Sequence, residues 1–219
     1  MNGHRDVLVP VLEEARGLGF LGPGPVESHL DHAAGYAVAL ESTGAGWSPG
    51  RAADLGSGAG LPGLPLALHF LHAEWTLVEA SVRRAAFLRS AIRDLGLNHR
   101  VEVVEERAEV VGRMPAYRGS FDLVVARSFG PPAVLAECAA PLLRVGGLAA
   151  VSEPPGGKPE RWSAPGLAEL GMAAGTSVHA AGAAYQVLVQ VTPCPPRFPR
   201  RVGIPAKRPL FSSPGKKQP

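Results

Sequence analysis

Cysteine is scarce in this chain of 219 residues, since only Cys138 and Cys194 are present. Their spacing matches no metal-binding or redox motif. No apolar run approaches the length of a membrane span, and residues 1–16 lack the layout of a signal peptide. We therefore expect a cytoplasmic protein, and the 46% of hydrophobic residues is enough for a substantial core.

Acidic residues are missing from the C-terminal end. Residues 197–219 contain seven basic side chains and no acid, whereas the rest of the chain has 15 basic and 19 acidic residues. A mildly acidic body with a basic tail suggests a polyanionic partner. A solvated tail without a partner is the alternative, and charge alone does not decide between the two.

A glycine-rich stretch organises the rest of the sequence. Residues 51–63 read RAADLGSGAGLPG, a short apolar run followed by alternating glycines at 56, 58 and 60. This pattern predicts a strand, a tight turn and a helix. Glycine allows the backbone to approach a ligand closely, and the free N–H groups of the following helix point at the turn.

Two ligands fit this turn. Residues 58–63 match the dinucleotide pattern G-x-G-x-x-G, and Glu79 follows about 20 residues later, as that pattern requires. The alternative is the D-x-G-x-G-x-G turn that binds S-adenosylmethionine in class I methyltransferases. We favour the second because Asp54 ends the strand, where a dinucleotide fold usually keeps an apolar residue.

The order of elements predicts the fold class. Residues 6–16 and 26–41 have helical spacing, and strands then alternate with helices. We predict strands at residues 51–55, 74–80, 100–105, 121–126, 147–151, 177–180 and 185–191. Such alternation indicates an α/β fold with a mostly parallel sheet, and the short last connection indicates a C-terminal antiparallel hairpin. The prediction is a Rossmann-like class I methyltransferase domain at 49–195, between an N-terminal helical arm (1–48) and a basic tail (196–219).

Candidate binding residues follow the strands, because ligands of open α/β sheets lie beyond the carboxyl ends of the strands. Glu79 ends strand two and can accept both hydroxyls of a ribose. Glu109 follows strand three, and Arg127 follows strand four, where the substrate should lie. Each has a simpler reading, as a surface carboxylate, a solvated loop residue or an ion-pair partner. His29, Asp31 and His32 could be metal ligands, but a helix-surface cluster is the better interpretation.

Four blocks make the chain recognisable: DLGSGAGLPGLPLAL (54–68), VEASVRRAAFLR (78–89), ERAE (106–109) with FDLVVARS (121–128), and PRRVGIPAKRPL (199–210). They resemble the RsmG (GidB) family of small-subunit rRNA guanine-N7 methyltransferases. The basic tail motif is the most specific of the four. The likeness covers roughly residues 51–148 and the tail.

The resemblance implies S-adenosylmethionine as cofactor and 16S rRNA or the small ribosomal subunit as partner, with a monomeric enzyme that uses no metal. Arg127 would be the catalytic residue, where cofactor and substrate meet. The residues implied to bind the cofactor are Asp54, Gly56, Ser57, Gly58, Gly60, Leu61, Glu79, Ala108 and Glu109. Those implied to contact RNA, or to cap the fold near the site, are Arg200, Arg201, Lys207 and Arg208.

The sequence departs from the family pattern at two places. Strand five runs into Val151-Ser152-Glu153-Pro154, where the family continues with a Lys-Gly pair. The N-terminal family pattern, an Arg-His followed by an Asp-Ser, is represented only by residues 28–32. These departures leave two alternatives open, a methyltransferase for small molecules and an RNA-binding relative without catalysis.

The residues also fit the expected chemistry. Guanine N7 is a bare lone pair, so its methylation needs alignment and a dry pocket rather than a general base. Consistent with this, the sequence contains no obvious Ser-His-Asp or Cys-His arrangement. Arg127 can donate a fork of hydrogen bonds to guanine O6, and Phe129 can stack on an extruded base.

Overall fold

The computed structural model describes residues 2–44, 46–157 and 159–212. Its strands β1 to β7 are Arg51–Leu55, Glu74–Val78, Val101–Val104, Phe121–Ala126, Leu143–Glu153, Met172–Ala180 and Ala183–Gln190. Its helices α1 to α8 are Arg5–Gly17, Val26–Glu41, Gly63–His69, Val82–Asp94, Ala108–Val111, Pro132–Ala139, Ala164–Glu169 and Ile204–Lys207. None of the described helices is long and apolar enough to cross a membrane.

The strands form one sheet in the order β3-β2-β1-β4-β5-β7-β6. The pairs from β3 to β5 are parallel, whereas β7 is antiparallel to both of its neighbours. Parallel strands need helices on both faces, which explains why residues 52–55 of β1 are all buried. The predicted seven-stranded sheet with a C-terminal antiparallel hairpin is confirmed.

Several element boundaries differ from the prediction. Helix α6 ends at Ala139, and β5 already begins at Leu143, four residues before the predicted strand at residues 147–151. A short apolar run such as this one does not distinguish helix from strand. The pairing of β4 with β5 shifts register between Phe121 and Leu123, which lets the early part of β5 join the sheet. The short helix α5 was also not predicted.

The N-terminal helices belong to the hydrophobic core. Leu12 of α1 and Leu40 of α2 are fully buried in the same cluster as Trp75 of β2. Helix α2 also lies close to the last strand: a Cβ atom added at Gly35 would collide with the ring of Tyr185. Only glycine allows this approach, so the predicted arm packs as part of the domain.

The first part of the basic tail is also packed. The Arg118 guanidinium donates hydrogen bonds to the carbonyls of Gly112 and Phe198, and also to those of Cys194 and Pro195, over 2.8–3.1 Å. Phe198 is buried in the second hydrophobic cluster, on the α6 side of the sheet. One side chain thus holds the segment after β7 against the domain. Lys216 and Lys217 of the predicted tail lie outside the described residues.

Candidate active site

The glycine turn has the predicted strand–turn–helix form. Gly56, Gly58 and Gly60 all have positive φ angles, of 69°, 57° and 85°. A Cβ at Gly60 would collide with Leu64, and one at Gly56 would lie 2.9 Å from the Phe129 ring. Both the backbone conformation and the available space therefore require glycine.

Asp54 lies behind this turn. Its carboxylate is fully buried, and Oδ2 accepts a hydrogen bond of 3.0 Å from the Gly63 amide at the start of α3. Its Oδ1 has no partner among the described residues. Burial raises the pKa of Asp54 to about 7, although the bond from Gly63 acts the other way. Asp54 therefore holds the start of α3 against the turn through its bond to Gly63. Because its pKa is higher in the folded chain than in the unfolded chain, the free energy of unfolding of the unliganded protein falls as the pH rises from about 4 to 7.

Glu79 connects the end of β2 to the turn. Its Oε2 accepts a hydrogen bond of 2.9 Å from the Gly58 amide, and Oε1 accepts one of 2.8 Å from Ser81. A carboxylate has about four lone-pair sites, so Glu79 keeps acceptor capacity for further hydroxyl groups. It is buried, yet it lines a cavity.

Two cavities flank the turn. The first, of about 340 Å³, brings together Gly56, Glu79, Ala108 and Glu109, and we call it the adenosine-side cavity. The second, of about 280 Å³, is lined by Gly56, Ser57, Gly58 and Leu61, and we call it the methionine-side cavity. The predicted cofactor residues thus surround a divided pocket, except for Asp54 and Gly60, which support the turn. The carboxylate of Glu79 and the remaining space fit a ribose-containing sulfonium donor.

Glu109 has a structural partner in the tail. Its Oε1 accepts a hydrogen bond of 3.0 Å from the Gly203 amide and lies 3.5 Å from the Arg107 guanidinium. Burial alone would raise the pKa of Glu109, but these hydrogen bonds and the charge of Arg107 outweigh it, so its pKa is lowered. Because Ala206 of α8 lines the same cavity, the tail forms part of the adenosine-side wall.

Arg127 is held by a histidine from α2. Its Nη2 donates a hydrogen bond of 2.7 Å to His29 Nδ1. A guanidinium only donates, so Nδ1 must be unprotonated, and Nε2 donates to the Gly22 carbonyl at 3.2 Å. Burial, followed by the charge of Arg127, lowers the pKa of His29. The neutral imidazole therefore orients Arg127.

A third cavity, of about 520 Å³, lies on the other side of Arg127. We call it the substrate-side cavity. Arg127, Ser128 and Phe129 separate it from the two cavities at the turn, since Ser128 lines all three. Ser128 has a φ angle of 54°, which is costly for a residue other than glycine. This loop places Arg127 where a donor and an acceptor would meet.

We expect His32, which also lines the substrate-side cavity, to make stability depend on pH. Burial, followed by the charge of Arg127, lowers the pKa of His32 to about 4. As the pH falls, the unfolded chain therefore takes up a proton at His32 near pH 6.5, before the folded chain does. The contribution of neutral His32 to the free energy of unfolding is therefore complete above pH 6.5 and is lost as the pH falls towards 4. The raised pKa of Asp54 makes the free energy of unfolding change with pH in the opposite direction. The effect of His32 is therefore measured by comparing the wild type with a variant that lacks this histidine.

Urea unfolding at pH 4.5 and 7.5 measures this effect. Replacing His32 with Gln should remove a difference on the order of 2–3 kcal/mol between the two pH values. Replacing the exposed His72 with Gln is the matched control and should leave the difference unchanged. Equal pH dependence in the wild type and in His32→Gln would refute the assignment.

The predicted RNA-binding residues fall into two groups. The Arg200 guanidinium pairs with the fully buried Glu137, with Nη2 2.6 Å from Oε2, and its backbone amide also donates to Oε1. This geometry favours the capping role for Arg200. Arg201, Lys207 and Arg208 are exposed, and Lys207 follows Ala206 of the cavity wall. Contact with RNA by these three stays a prediction.

Sequence reasoning missed several residues around the site. Phe20, Leu21 and Gly22, from the loop between α1 and α2, close the methionine-side cavity. Arg161 and Trp162 line the substrate-side cavity. The glycine- and proline-rich break GLGFLGPGP at residues 17–25 carries three large apolar side chains, Leu18, Phe20 and Leu21, and these are the one signal that the sequence offers for this loop. His29, which was considered as a metal ligand, binds Arg127 instead.

The fold is that of a class I S-adenosylmethionine-dependent methyltransferase. The chain superimposes on a crystal structure of a SAM-dependent methyltransferase from Aquifex aeolicus with a TM-score of 0.58, covering 81% of this chain and 96% of the other at 16% identity. In sequence, residues 31–152 match the family model GidB, described as rRNA small subunit methyltransferase G. The chain belongs to this family, and the dinucleotide alternative is therefore wrong.

Two curated relatives of this family are about equally similar to the chain in sequence. The "Ribosomal RNA small subunit methyltransferase G" of Chloroflexus aggregans is 42% identical over 171 residues, covering 74% of this chain and 71% of that protein. The protein of the same name from Rubrobacter xylanophilus is 40% identical over 181 residues and 74% of this chain. The chain spans 65% of the length of this second relative.

Proposed function

We propose that this protein transfers the methyl group of S-adenosylmethionine to N7 of a guanine in 16S rRNA. The observation that carries the proposal is the meeting of three cavities at Arg127, Ser128 and Phe129. The turn and Glu79 line one side of this junction, and a larger cavity opens on the other. The family membership of the chain supports the same reaction.

The residues of the chain position the reactants. The glycine turn and Glu79 would hold S-adenosylmethionine, which would supply an electrophilic methyl carbon for the N7 lone pair and would take back the C–S electron pair on its sulfur. Arg127, held by His29, donates to guanine O6 and fixes the base beside the junction. Alignment of this kind supplies on the order of 7–11 kcal/mol of the barrier, so no general base is needed.

Mass spectrometry of rRNA tests the proposal directly. Cells that lack this protein should lose one 7-methylguanosine from 16S rRNA, and the purified protein should restore it on isolated small subunits with S-adenosylmethionine. Retention of every 7-methylguanosine in the deletion strain would refute the proposal. The cytoplasmic location and the monomeric state stay predictions.

RNA binding should depend on the exposed cations of the tail. Each phosphate contact contributes about 0.7 to the slope of log K against log salt for single strands. Replacing Arg201, Lys207 and Arg208 with Gln should therefore lower the slope by about 2. Filter binding of a 16S rRNA fragment between low and moderate salt measures it.

Arg93 provides the matched control. It is exposed in the last turn of α4. A helix that follows a parallel strand runs back towards the amino ends of the strands, so Arg93 lies away from the site at their carboxyl ends. Replacing Arg93 with Gln should leave the slope unchanged. A slope that stays at the wild-type value in the triple variant would contradict contact between these cations and RNA.

A methyltransferase for small molecules is the second candidate. It is favoured by the acidic Glu153 in the substrate-side cavity, which suits an amine or another cationic group. Binding of a small substrate would not require the tail cations, so the same triple variant would leave its turnover unaffected.

A further inference from the structure

One carboxylate lines the substrate-side cavity among the residues that the structure describes there. Glu153 ends β5, beside the end of β4 that leads into Arg127, since Ala126 and Val151 are paired in register. Its side chain is 9% exposed and is held by two donors from the following segment. Trp162 Nε1 donates to Oε1 at 2.6 Å, and the Arg161 guanidinium pairs with Oε2.

This carboxylate retains acceptor capacity. Two of its approximately four lone-pair sites are used by Trp162 and Arg161. The two donors fix the orientation of the carboxylate at the wall of the cavity. Glu153 is therefore a preorganised acceptor in the wall of the cavity that Arg127 also lines.

Such an acceptor can select the base for the proposed reaction, and it is particular to this chain because the family has a Lys-Gly pair at this place. N7 occurs in both guanine and adenine, so N7 by itself does not select the base. Guanine differs by the O6 acceptor, which lies between N7 and N1, and by the N1–H and N2–H₂ donors that follow O6 along the Watson–Crick edge. With N7 directed to the donor methyl and O6 to Arg127, the N1–H and N2–H₂ groups would face another part of the same cavity wall, to which Glu153 at the end of β5 belongs.

We propose that Glu153 is the residue that selects guanine, by accepting hydrogen bonds from N1–H and N2–H₂ of the target base in the cavity between Arg127 and Trp162. Adenine presents an unprotonated N1 at this place, and the carboxylate repels it. This inference rests on the proposed guanine-N7 activity, and it concerns a specificity-determining residue rather than the methyl transfer itself.

The test uses 16S rRNA in which the target guanosine, located by mass spectrometry, is replaced with inosine. Inosine keeps N7, O6 and N1–H but lacks the N2 amine. Because a hydrogen bond to a charged group is lost, the wild-type protein should methylate the inosine substrate with a kcat/KM about 10- to 100-fold lower. In Glu153→Gln, kcat/KM for guanosine should fall, and the guanosine-to-inosine ratio should approach one.

Glu160→Gln is the matched control, because Glu160 is exposed and lies seven positions along the chain from Glu153. It should retain the wild-type ratio. S-adenosylmethionine affinity, measured by calorimetry, should stay unchanged in both variants and shows that the fold is intact.

The outcomes separate the two proposals. Equal methylation of the guanosine and inosine substrates by the wild-type protein would overturn the role of Glu153, even if the Glu153 variant does not fold. A wild-type ratio retained in a folded Glu153→Gln would do the same. A wild-type protein that methylates neither substrate would instead refute the guanine-N7 function.

Discussion

Replacing Arg127 with Met should reduce kcat/KM for methyl transfer by on the order of 10²-fold, even at saturating S-adenosylmethionine. Met keeps much of the length of the side chain but removes the donor fork that holds guanine O6. The proposed cofactor contacts lie on the glycine turn and on Glu79, so the dissociation constant of S-adenosylmethionine should change far less than kcat/KM. Single-turnover kinetics together with calorimetry separates the two effects.

A second substitution distinguishes charge from geometry. Arg127→Lys keeps the cation but not the planar fork, so it should lose most of the activity as well. Arg93→Met, on α4, serves as the control and should remain fully active. Unchanged turnover in Arg127→Met at saturating cofactor would show that Arg127 has no part in the reaction.

Replacing Arg200 with Met should lower the free energy of unfolding by about 3–5 kcal/mol. The substitution leaves the carboxylate of Glu137, which is fully buried, without its cation. The neighbouring Arg201 is exposed, and Arg201→Met should change the free energy of unfolding by no more than about 0.5 kcal/mol. Urea unfolding at pH 7.5 measures both variants.

The double variant Glu137→Leu with Arg200→Met provides the complementary result. It removes both charges, so it should recover much of the stability that Arg200→Met loses. If Arg200 instead served mainly to bind RNA, Arg200→Met would be as stable as the wild type and would weaken RNA binding. The stability and RNA binding of the Arg200 and Arg201 variants thus distinguish a residue that neutralises the buried Glu137 from a residue that contacts RNA.

The sequence predicts that the glycine turn and Glu79 come together because its signals there are local. The glycine turn, Asp54 and Glu79 belong to one strand–turn–helix unit and the strand that follows, so their spacing alone brings them together. Arg127 is found in the same way, by its place at the end of a strand. The alternation of strands and helices also predicts the mostly parallel sheet with its C-terminal hairpin, because parallel connections allow few topologies.

The remaining contacts join residues that are far apart in the chain. His29 reaches Arg127 across 98 positions, and Arg200 reaches Glu137 across 63. Composition and spacing do not record such pairs, and a basic tail motif predicts RNA contact for all of its arginines equally. Glu153 was read only as a departure from a pattern, because its bonds to Arg161 and Trp162 depend on the fold of the segment after β5.

The position of β7 has a consequence for how the chain acquires its shape during synthesis. β6 lies at the edge of the sheet and pairs with β7, so it leaves the ribosome before the strand that anchors it. Until residue 190 is released, the outer edge of β5 is unpaired, and such edges promote aggregation. Tyr185 of β7 also donates a hydrogen bond to the His32 carbonyl. Nascent chains should therefore complete the substrate-side cavity only after β7 has been released, because α2 and β5, which contribute to its wall, both pair with or bond to β7.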